Sequence, residues 1–112
     1  MDTASLSEES VVEAVEDVYL AQLATGEGMS VQHFDFEVDA DVPEHDHEHE
    51  QAGFIYAGVL TFLIEGEEVV CGPGDSYVIP GNTTHGAENR GEDPVRGVDV
   101  FSPPRPNPDW RE

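Results

Sequence analysis

Hydrophobic and polar side chains alternate with a period of two along much of the chain. The segment Met29–Val38 shows it best, with Val31, Phe34, Phe36 and Val38 set against Gln32, His33, Asp35 and Glu37. Such alternation predicts a half-buried β-strand, and the slip of phase at His33 leaves room for a bulge. Tyr19–Ala24, Gly53–Ala57, Val59–Glu65, Glu68–Cys71, Ser76–Pro80, His85–Asn89 and Val95–Ser102 read as further strands. Between them lie turn signals at Thr25-Gly26-Glu27-Gly28, Glu65-Gly66-Glu67, Gly72-Pro73-Gly74-Asp75 and Gly81-Asn82. Asp39–Glu50 is polar and reads as a loop. Short strands at close spacing, joined by Gly/Pro turns, predict an all-β sandwich or barrel.

The N-terminal residues 1–17 are ambiguous. Ser5 and Glu8 are spaced like a helix capping box, and Val11, Val15 and Val18 share a helical face. Their β-branched side chains favour an extended segment instead. Residues 103–112 hold four prolines and cannot form a central strand. With no internal repeat, the expected organisation is one domain over 1–112, carrying an N-terminal extension (1–17) and a Pro-rich tail (103–112).

Charge narrows the function. Among 112 residues there are 25 acidic side chains, four Arg and no Lys, for a net charge of −21. Binding nucleic acid needs cations to neutralise phosphate, so that class is excluded, and the same charge opposes docking to anionic lipid. The acids run from Asp2 to Glu112, which argues against a separate acidic tail. A cationic partner would need a local patch that sequence does not define. Adaptation to molar salt is the third explanation: at ~1 M salt the screening length is only ~3 Å. Abundant carboxylates without Lys resemble haloarchaeal proteins. No apolar run approaches a membrane span and no secretory leader opens the sequence, so a cytoplasmic protein is expected. Cys71, the only cysteine, sits beside Val69 and Val70 and is expected to be a buried thiol.

Two segments carry the chemistry. One holds His45, His47 and Gln51, and the other holds His85. Imidazole nitrogens suit Zn, Cu, Fe and Ni, and an amide oxygen adds a harder neutral ligand. A run such as Glu-His-Asp-His-Glu-His-Glu is by itself most often a solvated loop; the second segment is what makes it a candidate metal site. In an extended chain 45, 47, 49 and 51 project to one side, so His49 competes as a ligand. His33 has no such support and reads as a surface or strand-edge histidine.

The spacing resembles that of the cupin family. His45-x-His47, three residues, Gln51, six residues, Gly58 reproduces its first motif. Gly74, five residues, Pro80, then His85 and Asn89 reproduce its second. Asp39 and Asn82 stand where the motifs have glycine. The likeness covers roughly residues 29–102. It implies a jelly-roll β-barrel, and one divalent transition ion (Zn, Ni, Mn or Fe) held by His45, His47, Gln51 and His85. His49 then falls outside the ligand set. The resemblance also implies a homodimer. Glu48 and Glu50 would flank the ligands, Asn89 would be structural, and Tyr56 and Phe62 could line the pocket. Four neutral ligands leave the ion's charge uncompensated, which favours polarising a carbonyl or hydroxyl and binding an anion.

Near the C-terminus, Asp99-Val100-Phe101-Ser102-Pro103-Pro104-Arg105 adds a narrower likeness. Together with His45-x-His47-x-His49-Glu50-Gln51 it resembles KdgF-like cupins, which open the ring of 4,5-unsaturated uronates to linear keto acids. That implies a catalytic Asp99, a substrate-holding Arg105 and Phe101 in the pocket wall. The sequence departs from this family after Arg105, where Pro106-Asn107-Pro108-Asp109-Trp110 follows. The plainer alternatives are a salt-bridged structural Asp99 and a tail Arg105 pairing with surface acids. The resulting expectation is a metal-dependent enzyme acting on a small anionic sugar acid. The alternatives are a metal-holding binding or sensor module without turnover, and a cupin dioxygenase.

Overall fold

A computed structural model describes residues 1–105. Residues 106–112, which include most of the expected Pro-rich tail and Trp110, lie outside the described residues. Ten strands follow one short 3-10 turn (Leu6–Glu8): β1 Val11–Val15, β2 Val18–Thr25, β3 Ser30–Phe36, β4 Asp41–His45, β5 Glu50–Ala57, β6 Leu60–Ile64, β7 Glu67–Cys71, β8 Ser76–Ile79, β9 His85–Glu88 and β10 Val95–Ser102. They form a six-stranded sheet, β1-β2-β3-β10-β5-β8, and a four-stranded sheet, β4-β9-β6-β7. All pairings are antiparallel. The two sheets make an all-β jelly roll. Its core joins Val18, Phe34, Ile55, Leu60, Phe62, Ile79 and Val95 from both sheets.

Several expectations need correcting. The N-terminal segment is extended only from Val11; before it, Glu8 closes a turn by donating its backbone N–H to the Ser5 carbonyl, and the Ser5 side chain caps nothing. The expected loop at 39–50 contains strand β4 and the first residue of β5, because Asp41 and Val42 pair with β9 despite their polar surroundings. No bulge occurs at His33: β3 pairs without interruption with β10. Ser30, Gln32, Phe34 and Phe36 are the inward set, all buried. Val31, which the sequence pattern groups with Phe34, is on the other face. Polar Gln32 inside and apolar Val31 outside are what disturbed the alternation.

His33 is also no surface residue. It lies on a central strand, 9% exposed, with Nε2 2.6 Å from the Tyr56 hydroxyl. Cys71 is buried as expected, and burial pushes its thiol pKa up, so it stays protonated.

Two motif positions gain a backbone explanation. Asp39 and Asn82, which replace the motif glycines, have φ of 71° and 60°. Asn and Asp are the side-chain-bearing residues that best tolerate this left-handed region. The motif turns therefore survive both substitutions. Asn89 is structural, as its position implied. Its amide donates to the carbonyls of Phe36, Glu37 and Asp93, and its oxygen accepts from Gly91 N–H, tying β9 to the end of β3.

Candidate metal centre

The site forms where the chain leaves the small sheet and enters the large one. His45 ends β4 and pairs directly with His85 at the start of β9. His47 lies in the connection that follows, and Gln51 is the second residue of β5. One ligand atom from each of His45, His47 and His85 lies within 4.8 Å of the others. The His85 ring is 4.5 Å from that of His45 and 4.9 Å from that of His47, centroid to centroid.

The hydrogen bonds set each ring's protonation. Nδ1 of His45 is 2.9 Å from the Pro43 carbonyl, Nδ1 of His47 is 2.9 Å from the His49 carbonyl, and Nδ1 of His85 is 2.8 Å from the Thr83 carbonyl. A carbonyl oxygen only accepts, so the ring hydrogen sits on Nδ1 in each case. The lone pair is then left on Nε2. This is the usual way a protein orients imidazole for a metal. Burial lowers the pKa of both His47 and His85, with the neighbouring imidazoles lowering them further, so both rings are neutral at pH 7. Gln51 Oε1 lies 3.2 Å from His47 Nε2. Both atoms present lone pairs, an arrangement that a cation between them would relieve. The residues present therefore fit a divalent ion with neutral N and O donors.

His49 is not part of the three-histidine cluster. Its ring turns to stand edge-on to Phe101, with centroids 6.3 Å apart. The strand ends at His45, so the continuous extended run that would have aligned 45, 47, 49 and 51 does not exist.

A cavity of about 520 Å³ opens beside the histidines and runs between the sheets. Gln51, Asp99, Phe101 and Arg105 line it, as do Phe62, Tyr77 and Gln32. Tyr56 does not, which corrects its expected place in the pocket. On β5 the inward set is Gln51, Gly53 and Ile55, so Tyr56 points outward and is 49% exposed. Phe101 packs edge-on to His47 at 5.8 Å, and the Arg105 guanidinium lies 4.8 Å above the Phe101 ring centre. The Arg105 backbone N–H donates to Ser30 Oγ at 2.8 Å, which fixes the start of the tail over the cavity mouth.

Asp99 faces inward from β10 and is 6% exposed. Burial raises its pKa to about 7, while contacts with Tyr77, Gln51 and Arg105 pull the other way. A carboxyl in that range can hold or release a proton near neutrality. It makes no ion pair with Arg90 or Arg96, whose partners are Glu68, Glu88 and Asp35. Tyr77, which the sequence marks only as part of the strand Ser76–Pro80, also lines the cavity. Its hydroxyl donates to Asp99 Oδ1 at 2.5 Å. The signal available was the glycine between them in register: Gly53 pairs with Tyr77 on one side and with Asp99 on the other.

The fold is a jelly-roll barrel in which three histidines lie close enough together to hold a metal ion. The chain belongs to the cupin family: the cupin domain model matches residues 32–101. Among solved structures, KdgF from Halomonas sp. is 26% identical, with 97% of this chain and 96% of that one covered and a TM-score of 0.83. An RmlC-like cupin from Shewanella frigidimarina is 21% identical over 95% and 97%, with a TM-score of 0.81. The polyketide cyclase RemF from Streptomyces resistomycificus is 17% identical over 91% and 79%, with a TM-score of 0.80. The last two show the fold alone. No curated protein matches the chain. No helix among the described residues is long and apolar enough to cross a membrane.

Proposed function

We propose that this cupin is a metal-dependent isomerase that opens the ring of a small unsaturated sugar acid. The observation that carries the proposal is Asp99. It is a buried carboxyl with a pKa raised to about 7, facing the same cavity as the three histidines and Arg105. The likeness to KdgF from Halomonas sp. over nearly the whole chain supports the same substrate class.

The reaction is balanced without a co-reactant. The anomeric hydroxyl loses its proton and the bond from the anomeric carbon to the ring oxygen breaks, which leaves an aldehyde and an enolate. A proton added to the vinyl carbon converts the enolate to a ketone, so the product has the atoms of the substrate. Asp99 accepts the first proton and returns one to carbon. Such proton transfer typically contributes ~10²–10⁴-fold in rate. Tyr77 holds Oδ1 of Asp99 and so fixes the orientation of the carboxyl. Arg105, over Phe101 at the mouth, binds the carboxylate of the substrate, for which its planar fork is suited. A bound divalent ion would supply positive charge to polarise a substrate oxygen.

The test is an assay of metal-loaded protein against a panel of 4,5-unsaturated uronates at molar KCl, following loss of the enol-ether ultraviolet absorbance. Asp99→Asn is expected to keep the metal and lose turnover by ~10²-fold or more. Arg105→Ala is expected to raise KM more than it lowers kcat. Full activity in Asp99→Asn refutes the assigned role. Tight uronate binding without turnover in the wild type would favour a binding module, and oxygen consumption with Fe(II) would favour a dioxygenase.

A further inference from the structure

One level of the large sheet is polar from side to side. Gln22 on β2 pairs with Gln32 on β3, Gln32 pairs with Asp99 on β10, Asp99 with Gly53 on β5, and Gly53 with Tyr77 on β8. Residues directly opposite on neighbouring strands share a face, so these side chains form one strip across the concave wall. The adjacent level is apolar, with Leu20, Phe34 and Ile55 in register around Gly97.

Most members of the strip are committed within the protein. The Gln22 side-chain nitrogen donates to Thr25 Oγ1 at 3.0 Å, and the Tyr77 hydroxyl donates to Asp99. Gln32 differs. It is 5% exposed, it lines the cavity, and its amide oxygen has no hydrogen-bond partner among the described residues. A buried acceptor left unpaired is destabilising compared with an apolar side chain of the same shape. The fold itself gives no reason for an amide here.

We propose that Gln32 is a ligand-binding residue whose side-chain amide hydrogen-bonds to a hydroxyl of the molecule held in the cavity. This rests on the sugar-acid reading and sharpens it. Gln32 is two strands across from Gln51 and one pleat repeat along, which places the two backbones on the order of 10 Å apart. The ligand therefore spans the wall from the histidine cluster to β3. At the β3 end it presents a hydroxyl, which can donate to the amide oxygen or accept from the amide nitrogen. Its carboxylate belongs with Arg105 at the mouth. The class selected is a polyhydroxylated acid with a free hydroxyl at the end remote from the histidines.

Zinc-loaded wild type, Gln32→Leu and Gln22→Leu are compared by calorimetric titration with D-galacturonate and by thermal unfolding without it. Gln32→Leu is expected to bind roughly tenfold more weakly, as for loss of one hydrogen bond, and to melt at the same temperature or higher. Gln22→Leu, which breaks an internal bond, is expected to melt lower and bind normally. Unchanged affinity in Gln32→Leu overturns the proposal. So does a melting temperature lowered as far as that of Gln22→Leu, provided Gln32→Met, which keeps the side-chain length, is lowered too. If wild type takes no D-galacturonate, the sugar-acid reading is judged by the turnover assay on 4,5-unsaturated uronates instead. Gln32 is then judged on unfolding alone, where an equal or higher melting temperature supports an amide kept for a ligand and a lower one refutes it.

Discussion

Tyr77 reaches Asp99 across the missing side chain of Gly53. A Cβ on Gly53 would meet Tyr77 Cζ, the Tyr77 hydroxyl and Asp99 Oδ1 at separations too short for any real contact. The glycine is thus a gap in β5 that lets an aromatic ring from β8 span one strand and bond to a carboxyl on β10. The Tyr77 ring also packs against Phe62 of the opposite sheet, with centroids 4.5 Å apart. One side chain therefore joins the apolar core to the buried Asp99 carboxyl.

Gly53→Ala is expected to push Tyr77 away and to destabilise the fold by ~1–3 kcal/mol, as overpacking does. Tyr77→Phe should keep the packing and lose the bond. Because that bond lowers the Asp99 pKa, its loss should raise the pKa above about 7. Asp99 itself destabilises the fold as it ionises. Its folded pKa lies above the ordinary carboxyl value of 3.8, so its contribution is fully present below about pH 4 and lost as pH rises through 7. Relative to wild type, metal-free Asp99→Asn should gain stability between pH 4 and 8, by about a few kcal/mol at most. Denaturant midpoints across that range check it, and a constant difference would count against a buried carboxyl that titrates there.

Metal binding should follow the three histidines and Gln51. Calorimetry is expected to give about one divalent ion per chain, with His85→Ala losing most affinity and His49→Ala keeping it. His33→Ala should keep metal binding too, but should melt lower because His33 is buried against Tyr56. Since burial lowers the pKa of His47 and His85 from 6.5, protons should compete with the ion only below that pH. Equal metal content in wild type and a His45/His85 double alanine variant would remove the site.

Salt should stabilise this chain. With a net charge of −21, self-repulsion opposes the compact state wherever screening is weak. The melting temperature is expected to rise from 0.1 to 3 M KCl, where the screening length falls to ~3 Å or less. A flat or falling curve would contradict adaptation to molar salt.

Left-handed backbone at the two motif turns gives a stability test independent of chemistry. Asn82→Gly should be close to neutral, since glycine adopts φ near 60° without penalty. Asn82→Val should be destabilising by ~1–2 kcal/mol, because a β-branched side chain clashes there. Asp39, at φ 71°, should behave alike. Thermal unfolding reads both, and a neutral valine would mean that these turns relax to other angles.

The sequence by itself determined the strand-rich architecture, because alternation and Gly/Pro turns are local properties. The strands over 60–64, 76–79 and 95–102 lie almost where the pattern placed them. It also determined which residues could hold a metal, since the two motifs carry their ligands at set intervals along the chain. The tertiary structure decided what lies opposite what. Alternation shows that two sets of side chains face apart, but not which set is inside. That is why the pattern sets polar Gln32 outward and Tyr56 inward, when Gln32 shares the inner face of β3 with Phe34 and Phe36 and Tyr56 lies on the outer face of β5. His33 was read as surface because its partner is 23 residues away, on a strand separated from its own by β10. The bond from Tyr77 to Asp99 depends on register across three strands. Register is set by turns and by burial of one whole face, and no window of the sequence contains all three strands.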